Sequence, residues 1–186
     1  MPPRKVALVT GGSAGLGAAI ARLLARDLHM SVIINYSQNE SRASDLVREL
    51  QEAQVPKDGL DPPVFKAIQA DLHSKPAVAR LVEEAVAATG GRLDVVVSNF
   101  GWTKMTNFAD LEEGVDEEMW DMCFNANVKS HLWLFYAARR YLEEANEREE
   151  GAAVFVSTAS TAGVKPAGSS LVWGCPAPAL WVFVAN

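Results

Sequence analysis

Thr10-Gly11-Gly12-Ser13-Ala14-Gly15-Leu16-Gly17 is the stretch that decides the fold. It follows Val6-Ala7-Leu8-Val9, an apolar run bounded by charge and by glycine, which reads as a short buried strand. It leads into Leu16, Ile20, Leu23 and Leu24, which recur at helical spacing and predict a helix to about Leu28. A strand, a glycine-rich turn and a helix in that order form a cradle for a dinucleotide pyrophosphate. Gly11 permits the tight turn. Gly15 and Gly17 remove side chains, so that phosphate oxygens reach backbone N–H groups and the helix packs on the sheet. The helix N-terminus adds partial positive charge.

The rest of the chain keeps alternating. Ser31-Val32-Ile33-Ile34-Asn35 reads as a second strand, and residues 40–53 as an amphipathic helix with Leu46, Leu50 and Ala53 inward. A loop with Pro56, Gly59, Pro62 and Pro63 precedes a third strand at 64–70. Val78, Leu81, Val82 and Val86 mark a helix, 93–98 a fourth strand, about 117–149 one long helix, and 152–157 a fifth strand. Strands alternating with helices predict right-handed crossovers and a parallel sheet covered on both faces. The expected class is α/β, a doubly wound sheet of order 3-2-1-4-5. Its ligand would lie over the carboxyl ends of the strands, where the order reverses between strands 1 and 4.

Composition narrows the function. The 186 residues suffice for one domain with a sizeable core. A net charge of −6 argues against nucleic-acid backbones as partners. Cys123 and Cys175 suit a reducing compartment, and neither they nor the scattered His29, His73 and His131 make a metal set, so no metal is expected and the histidines read as structural or solvated. No signal-peptide pattern follows the N-terminal MPPRK, and no apolar run reaches the roughly 20 residues that span a bilayer. The expectation is a cytoplasmic protein with no membrane partner. After Lys165 the last 21 residues carry no charged side chain.

Five motifs together resemble the short-chain dehydrogenase/reductase family. Thr10-Gly11-xxx-Gly15-x-Gly17 resembles its cofactor motif. Asp71-Leu72 after strand 3 looks like its adenine-contacting acidic pair, and Ser98-Asn99-Phe100-Gly101 is similar to its Asn-Asn-Ala-Gly. Asn125-Ala126-Asn127-Val128-Lys129 resembles the segment carrying its catalytic asparagine, here Asn127. Ser157-Thr158-Ala159-Ser160-Thr161-Ala162-Gly163 resembles its serine segment. Ser160 takes the catalytic place because Gly163 follows at the family's spacing, with Thr158 as the fallback. The resemblance covers about residues 4–172. It implies an oxidoreductase that moves hydride between a nicotinamide cofactor and a small-molecule alcohol or carbonyl. It also implies a cofactor held by Gly11, Ser13, Ala14, Gly15, Leu16, Gly17, Tyr36, Ser37, Asp71, Leu72, Asn99, Phe100 and Gly101. Serine would orient the substrate and asparagine would hold a water in the proton relay.

An acid at the end of strand 2 would accept from the ribose 2′-OH and select NAD. Here the segment is Asn35-Tyr36-Ser37-Gln38-Asn39, with no acid before Glu40. Ser37 and Arg42 suit a 2′-phosphate, so the expected cofactor is NADP, with NAD as the alternative. Trp102 reads as a cleft or core aromatic, and Trp120, Trp133 and Phe135 as packing. The pattern then breaks. Where the family has its tyrosine acid/base there is Trp173, and where it has the assisting lysine there is Ala177. An indole N–H donates but does not titrate usefully, and Pro176 and Pro178 interrupt the expected helix. The expectation is a nucleotide-binding domain at 1–171 and an aberrant uncharged tail at 172–186, arising from a reading-frame change or retained intron and lacking the family's C-terminal helix and strands. Such a chain would be catalytically impaired. A non-catalytic nucleotide-binding or regulatory module and an unstable truncated product are the alternatives. A homo-oligomer through the long helix at 117–149 is expected of the family and weakened by the truncation.

Overall fold

The computed structural model describes residues 4–53, 59–107 and 110–161. Gly163, Trp173, Ala177, Cys175 and the 171/172 boundary lie outside the described residues. Five strands, β1 (Val6–Val9), β2 (Ser31–Tyr36), β3 (Phe65–Gln69), β4 (Val95–Ser98) and β5 (Val154–Ser157), form one parallel sheet of order β3-β2-β1-β4-β5, as the alternation predicts. Val9 stands beside Ile34 on one side and Val97 on the other, and Ser98 beside Ser157.

Helices α1 (Gly15–Arg26) and α2 (Glu40–Glu52) cover one face, with Val9, Ile34, Leu24, Leu46 and Leu50 in that layer. Helix α3 (Lys75–Ala88) and the long helix cover the other, where Leu8, Ile33, Leu81, Leu134, Leu142 and Phe155 meet. Burial on both faces explains why β1 and β2 read as apolar runs, whereas the edge strand β3 exposes Lys66 and Gln69. Ser74 caps α3 through its hydroxyl, with Pro76 in the first turn, and the Asn39 side chain caps α2.

Three details differ from the sequence reading. The buried stripe of α1 is Gly17, Ala18, Ala21 and Leu24, while Leu16 and Leu23 are exposed. Small residues face the sheet because the helix approaches it closely. Ala53 is exposed because α2 ends at Glu52 and Ala53 is its C-cap. The single long helix is three elements, α5 (Glu117–Phe124), a π turn (Asn125–Lys129) and α6 (Ser130–Arg148), preceded by a one-turn helix α4 (Leu111–Gly114). In the π turn the Ser130 N–H reaches back five residues to the Asn125 carbonyl, and the Ser130 hydroxyl takes the Ala126 carbonyl at 2.5 Å.

Two buried polar groups tie neighbouring elements together. At the amino end of the sheet, the Asp94 carboxylate is fully buried. It accepts from the Val6 N–H at 2.7 Å and from Arg92 Nε at 2.7 and 3.0 Å. At the carboxyl end, His131 is 7 % exposed, with Nδ1 at 2.6 Å from Ser98 Oγ and 3.1 Å from Ser157 Oγ. Burial lowers its pKa to about 4, opposed by hydrogen bonding with the Phe100 backbone.

Each group gives an expected outcome. Asp94→Ala leaves the Val6 donor and the Arg92 charge without their partner and should cost about 3 kcal/mol in urea unfolding. The His131 ring stays neutral in the fold while an unfolded one protonates near 6.5, so its contribution is complete above pH 6.5 and lost as pH falls toward about 4. The loss amounts to about 3 kcal/mol. His131→Leu should flatten that window of the stability–pH curve relative to wild type.

Candidate functional site

The turn between β1 and α1 takes its shape from close backbone contacts. Gly11 has φ +59°, which favours glycine. Its N–H donates to Asn35 Oδ1 at 3.3 Å, and the Gly12 N–H donates to the Asn35 carbonyl at 2.9 Å. A Cβ at Gly17 would sit 2.4 Å from the Gly11 carbonyl oxygen and 2.7 Å from Asn99 Nδ2, and one at Gly12 would sit 2.8 Å from Ile34 Cβ. Gly17 thus sets the helix-to-turn distance. Gly15, at φ +51°, has no described residue within 4 Å of where a Cβ would stand. That open space lies at the start of α1, whose N-cap Ala14 makes no side-chain cap bond. First-turn N–H groups of this kind suit phosphate oxygens, so the residues present fit a dinucleotide pyrophosphate.

Thr10 joins this turn to the loop after β4. Its buried hydroxyl donates to the Val97 carbonyl at 3.3 Å and accepts from the Asn99 N–H at 2.9 Å and the Phe100 N–H at 3.2 Å. Asn99 Nδ2 returns to the Thr10 carbonyl at 3.2 Å. The two strands flanking the switch point are therefore locked together at their carboxyl ends, where ligands of doubly wound sheets bind.

Beside this lock lies a cleft of about 290 Å³ lined by Gly11, Ser13, Asn35, Tyr36, Ser37, Gln38, Asn39, Ala70, Leu72 and Phe100. It brings together Gly11, Ser13, Tyr36, Ser37, Leu72 and Phe100 from the expected cofactor set. Ala14, Gly15, Leu16, Gly17, Asp71, Asn99 and Gly101 are not among its lining residues. The Asp71 carboxylate is held by His73, accepting from its N–H at 3.0 Å and standing 2.9 Å from its Nδ1. Those bonds hold its carboxyl below the usual aspartate range. The His73 ring packs edge-on to Phe100 at 5.3 Å.

Asn127 lies in the π turn and is buried. Its Oδ1 accepts from the Trp102 N–H at 2.9 Å. Its Nδ2 donates to the Trp102 carbonyl at 2.8 Å and to Cys123 Sγ at 3.0 Å. The side-chain amide is thus spent on the loop after β4. Trp102 is half-buried and, like Trp120, packs against Met119 and Cys123. Ser160 is half-buried three residues beyond β5. The Thr158 N–H and hydroxyl both go to the Ser98 carbonyl, at 3.0 and 3.4 Å.

Two buried polar residues near the site escape a sequence reading. Asn35 reads as the last residue of an apolar strand, yet its buried amide holds the Gly11 N–H on one side and the Ala70 carbonyl, at 3.1 Å, on the other. The signal available was a lone amide ending a strand of Val and Ile. His131 reads only as structural or solvated, and its serine partners come from strands 26 and 33 residues away.

Comparison with known proteins agrees with this geometry. The short chain dehydrogenase family model matches residues 5–176. A short-chain dehydrogenase/reductase of Pestalotiopsis microspora is 38% identical over 158 residues, 85% of this chain and 52% of that protein. A hydroxynaphthalene reductase of Aspergillus fumigatus is 35% identical over 173 residues, 93% of this chain and 56% of that protein. The chain therefore spans about half the length of the curated relatives it matches. Among solved structures, a short chain dehydrogenase from Burkholderia cenocepacia in complex with NADP superimposes with TM-score 0.78 at 30% identity. The match covers 95% of this chain and 64% of that one. No helix among the described residues is long and apolar enough to cross a membrane. The glycine turn, the switch-point lock and these matches together make this chain a member of the short-chain dehydrogenase family.

Proposed function

We propose that the cleft holds a nicotinamide dinucleotide, NADP in preference to NAD. We propose further that the chain is the nucleotide-binding part of an oxidoreductase acting on an alcohol or carbonyl. The observation that carries the reading is the turn itself, with Gly17 pressed on the Gly11 carbonyl and open space above Gly15. The Gly11–Gly17 turn and the start of α1 would hold the pyrophosphate. Leu72 and Phe100 would line the adenine side, and Tyr36 and Ser37 the adenosine ribose. Asp71 stays ionised beside His73 and is an acceptor for an adenine amino group. When bound, the cofactor supplies a hydride donor or acceptor.

The NADP preference rests on the end of β2. Ser37, Gln38 and Asn39 line the cleft with neutral donors, and exposed Arg42 in the first turn of α2 adds a cation. The Burkholderia relative in complex with NADP supports the same choice. A relative named as a hydroxynaphthalene reductase fits reduction of a carbonyl substrate.

Turnover by this chain is a separate matter. Ser160 would orient a substrate carbonyl, and Asn127 would act through the loop it holds, its amide being engaged with Trp102. Trp173 and Ala177 stand where the proton-transferring tyrosine and its lysine are required. Loss of general acid–base catalysis lowers a rate by roughly 10²- to 10⁴-fold. The chain then serves as a nucleotide-binding module with residual turnover at most. Exposed Leu132 and Tyr136 on α6 give it an apolar face for self-association.

Calorimetric titration of the purified chain with NADPH and NADH tests the binding reading. NADPH should bind more tightly, and Arg42→Ala should weaken NADPH about tenfold with NADH unchanged, since a charge-assisted contact to the 2′-phosphate is removed. No binding of either dinucleotide sinks the proposal, and equal affinity sinks the NADP preference. Following NADPH oxidation against a panel of ketones and quinones should show little turnover. Rates of the order of 10 s⁻¹, ordinary for an enzyme, would refute the impaired reading.

A further inference from the structure

We propose that His131 is a positioning residue for the nucleotide cleft, pinning the carboxyl ends of β4 and β5 to the start of α6. The proposal rests on the reading of the cleft as a dinucleotide site. Ser98 and Ser157 stand opposite each other in the β4–β5 register, and both hydroxyls turn to the same ring nitrogen of His131, at 2.6 and 3.1 Å. Ser98 is followed by Asn99 and Phe100, which bind the Thr10 hydroxyl, and Phe100 lines the cleft. Ser157 precedes the Thr158–Ser160 segment by one residue.

Asn127 lies one turn before His131 on the same helical path and holds the Trp102 backbone at 2.9 and 2.8 Å. The segment from Ser98 to Trp102 is therefore fastened at both ends to consecutive turns, by His131 at the strand end and by Asn127 at the far end. Between the fastenings, Thr10 draws the segment toward the glycine turn. A leucine at 131 would fill similar space and leave both serine hydroxyls without their partner. A purely packing role predicts no effect of that change on the loop, and a positioning role predicts a local one. His131 Nε2 is buried and makes no hydrogen bond of full geometry among the described residues, so the ring's links to this segment are the two serine contacts at Nδ1 and its interaction with the Phe100 backbone.

The test compares the full chain with His131→Leu and His131→Asn, the latter able to present a polar atom where Nδ1 stands. Amide hydrogen exchange read by mass spectrometry follows peptides covering 98–102 against those covering β1 and β2, and calorimetry follows NADPH. His131→Leu should speed exchange in 98–102 about tenfold with β1 and β2 unchanged, and weaken NADPH by about the same factor, as loss of a buried hydrogen-bonded link implies. His131→Asn should return both to within about threefold of wild type. Unchanged exchange in 98–102, a uniform acceleration through the chain, or an Asn variant no better than Leu would overturn the proposal. If His131→Leu does not fold, Ser98→Ala with Ser157→Ala breaks the same link with less loss of volume and is held to the same outcomes. A wild-type chain that binds no dinucleotide overturns the cleft reading, and the exchange comparison still decides whether His131 positions the segment.

Discussion

The approach of α1 to the end of β1 is the contact on which the site depends. With no side chain at Gly17, the first turn of the helix settles against the Gly11 carbonyl, and any Cβ there would fall at 2.4 Å from that oxygen. That distance fixes where the helix axis points and hence where its unfilled N–H groups face. It also explains the inner stripe of α1, where Gly17, Ala18 and Ala21 precede the single buried leucine, Leu24. A helix with a bulkier inner face would bury more apolar area and stand too far from the turn to close the cradle.

The second half of the site hangs on the interrupted helix. The π turn adds a residue between α5 and α6 and brings Asn127 under the loop after β4. Such turns recur at functional positions because the widened coil redirects a side chain. Here the cost of burying an amide is met by three partners at once. The cleft is thus bounded by two rigid supports, one on each side of the switch between β1 and β4.

Much of this was legible in the sequence. The strand runs, the strand order and the glycine turn follow from apolar spacing and the handedness of crossovers, and the sheet has that order. The inner face of α1 is not legible in the sequence, because leucine spacing marks apolarity and says nothing of how near a helix may come. The π turn left a trace that a helix reading passes over. Met119, Cys123, Asn127 and His131 are all buried and recur every four residues. Three steps of four drift by about 120° on a regular helix of 3.6 residues per turn, close to the one extra residue that a π turn inserts. Asn35 and His131 were illegible in kind, since their partners are fixed by tertiary distance alone.

Asn35 carries a consequence for how the molecule assembles. Its amide links the Gly11 N–H to the carbonyls of Ile68 and Ala70, so the turn after β1 is braced through β2 against the far edge strand. The glycine turn is encoded within the first 17 residues, yet its brace is complete only when β3 has docked, more than 30 residues later in the chain. A nascent or partly unfolded chain therefore possesses the turn's sequence without its shape. A dinucleotide held at that turn, as proposed, would then report the integrity of the three-strand edge and would stabilise β3 together with the turn.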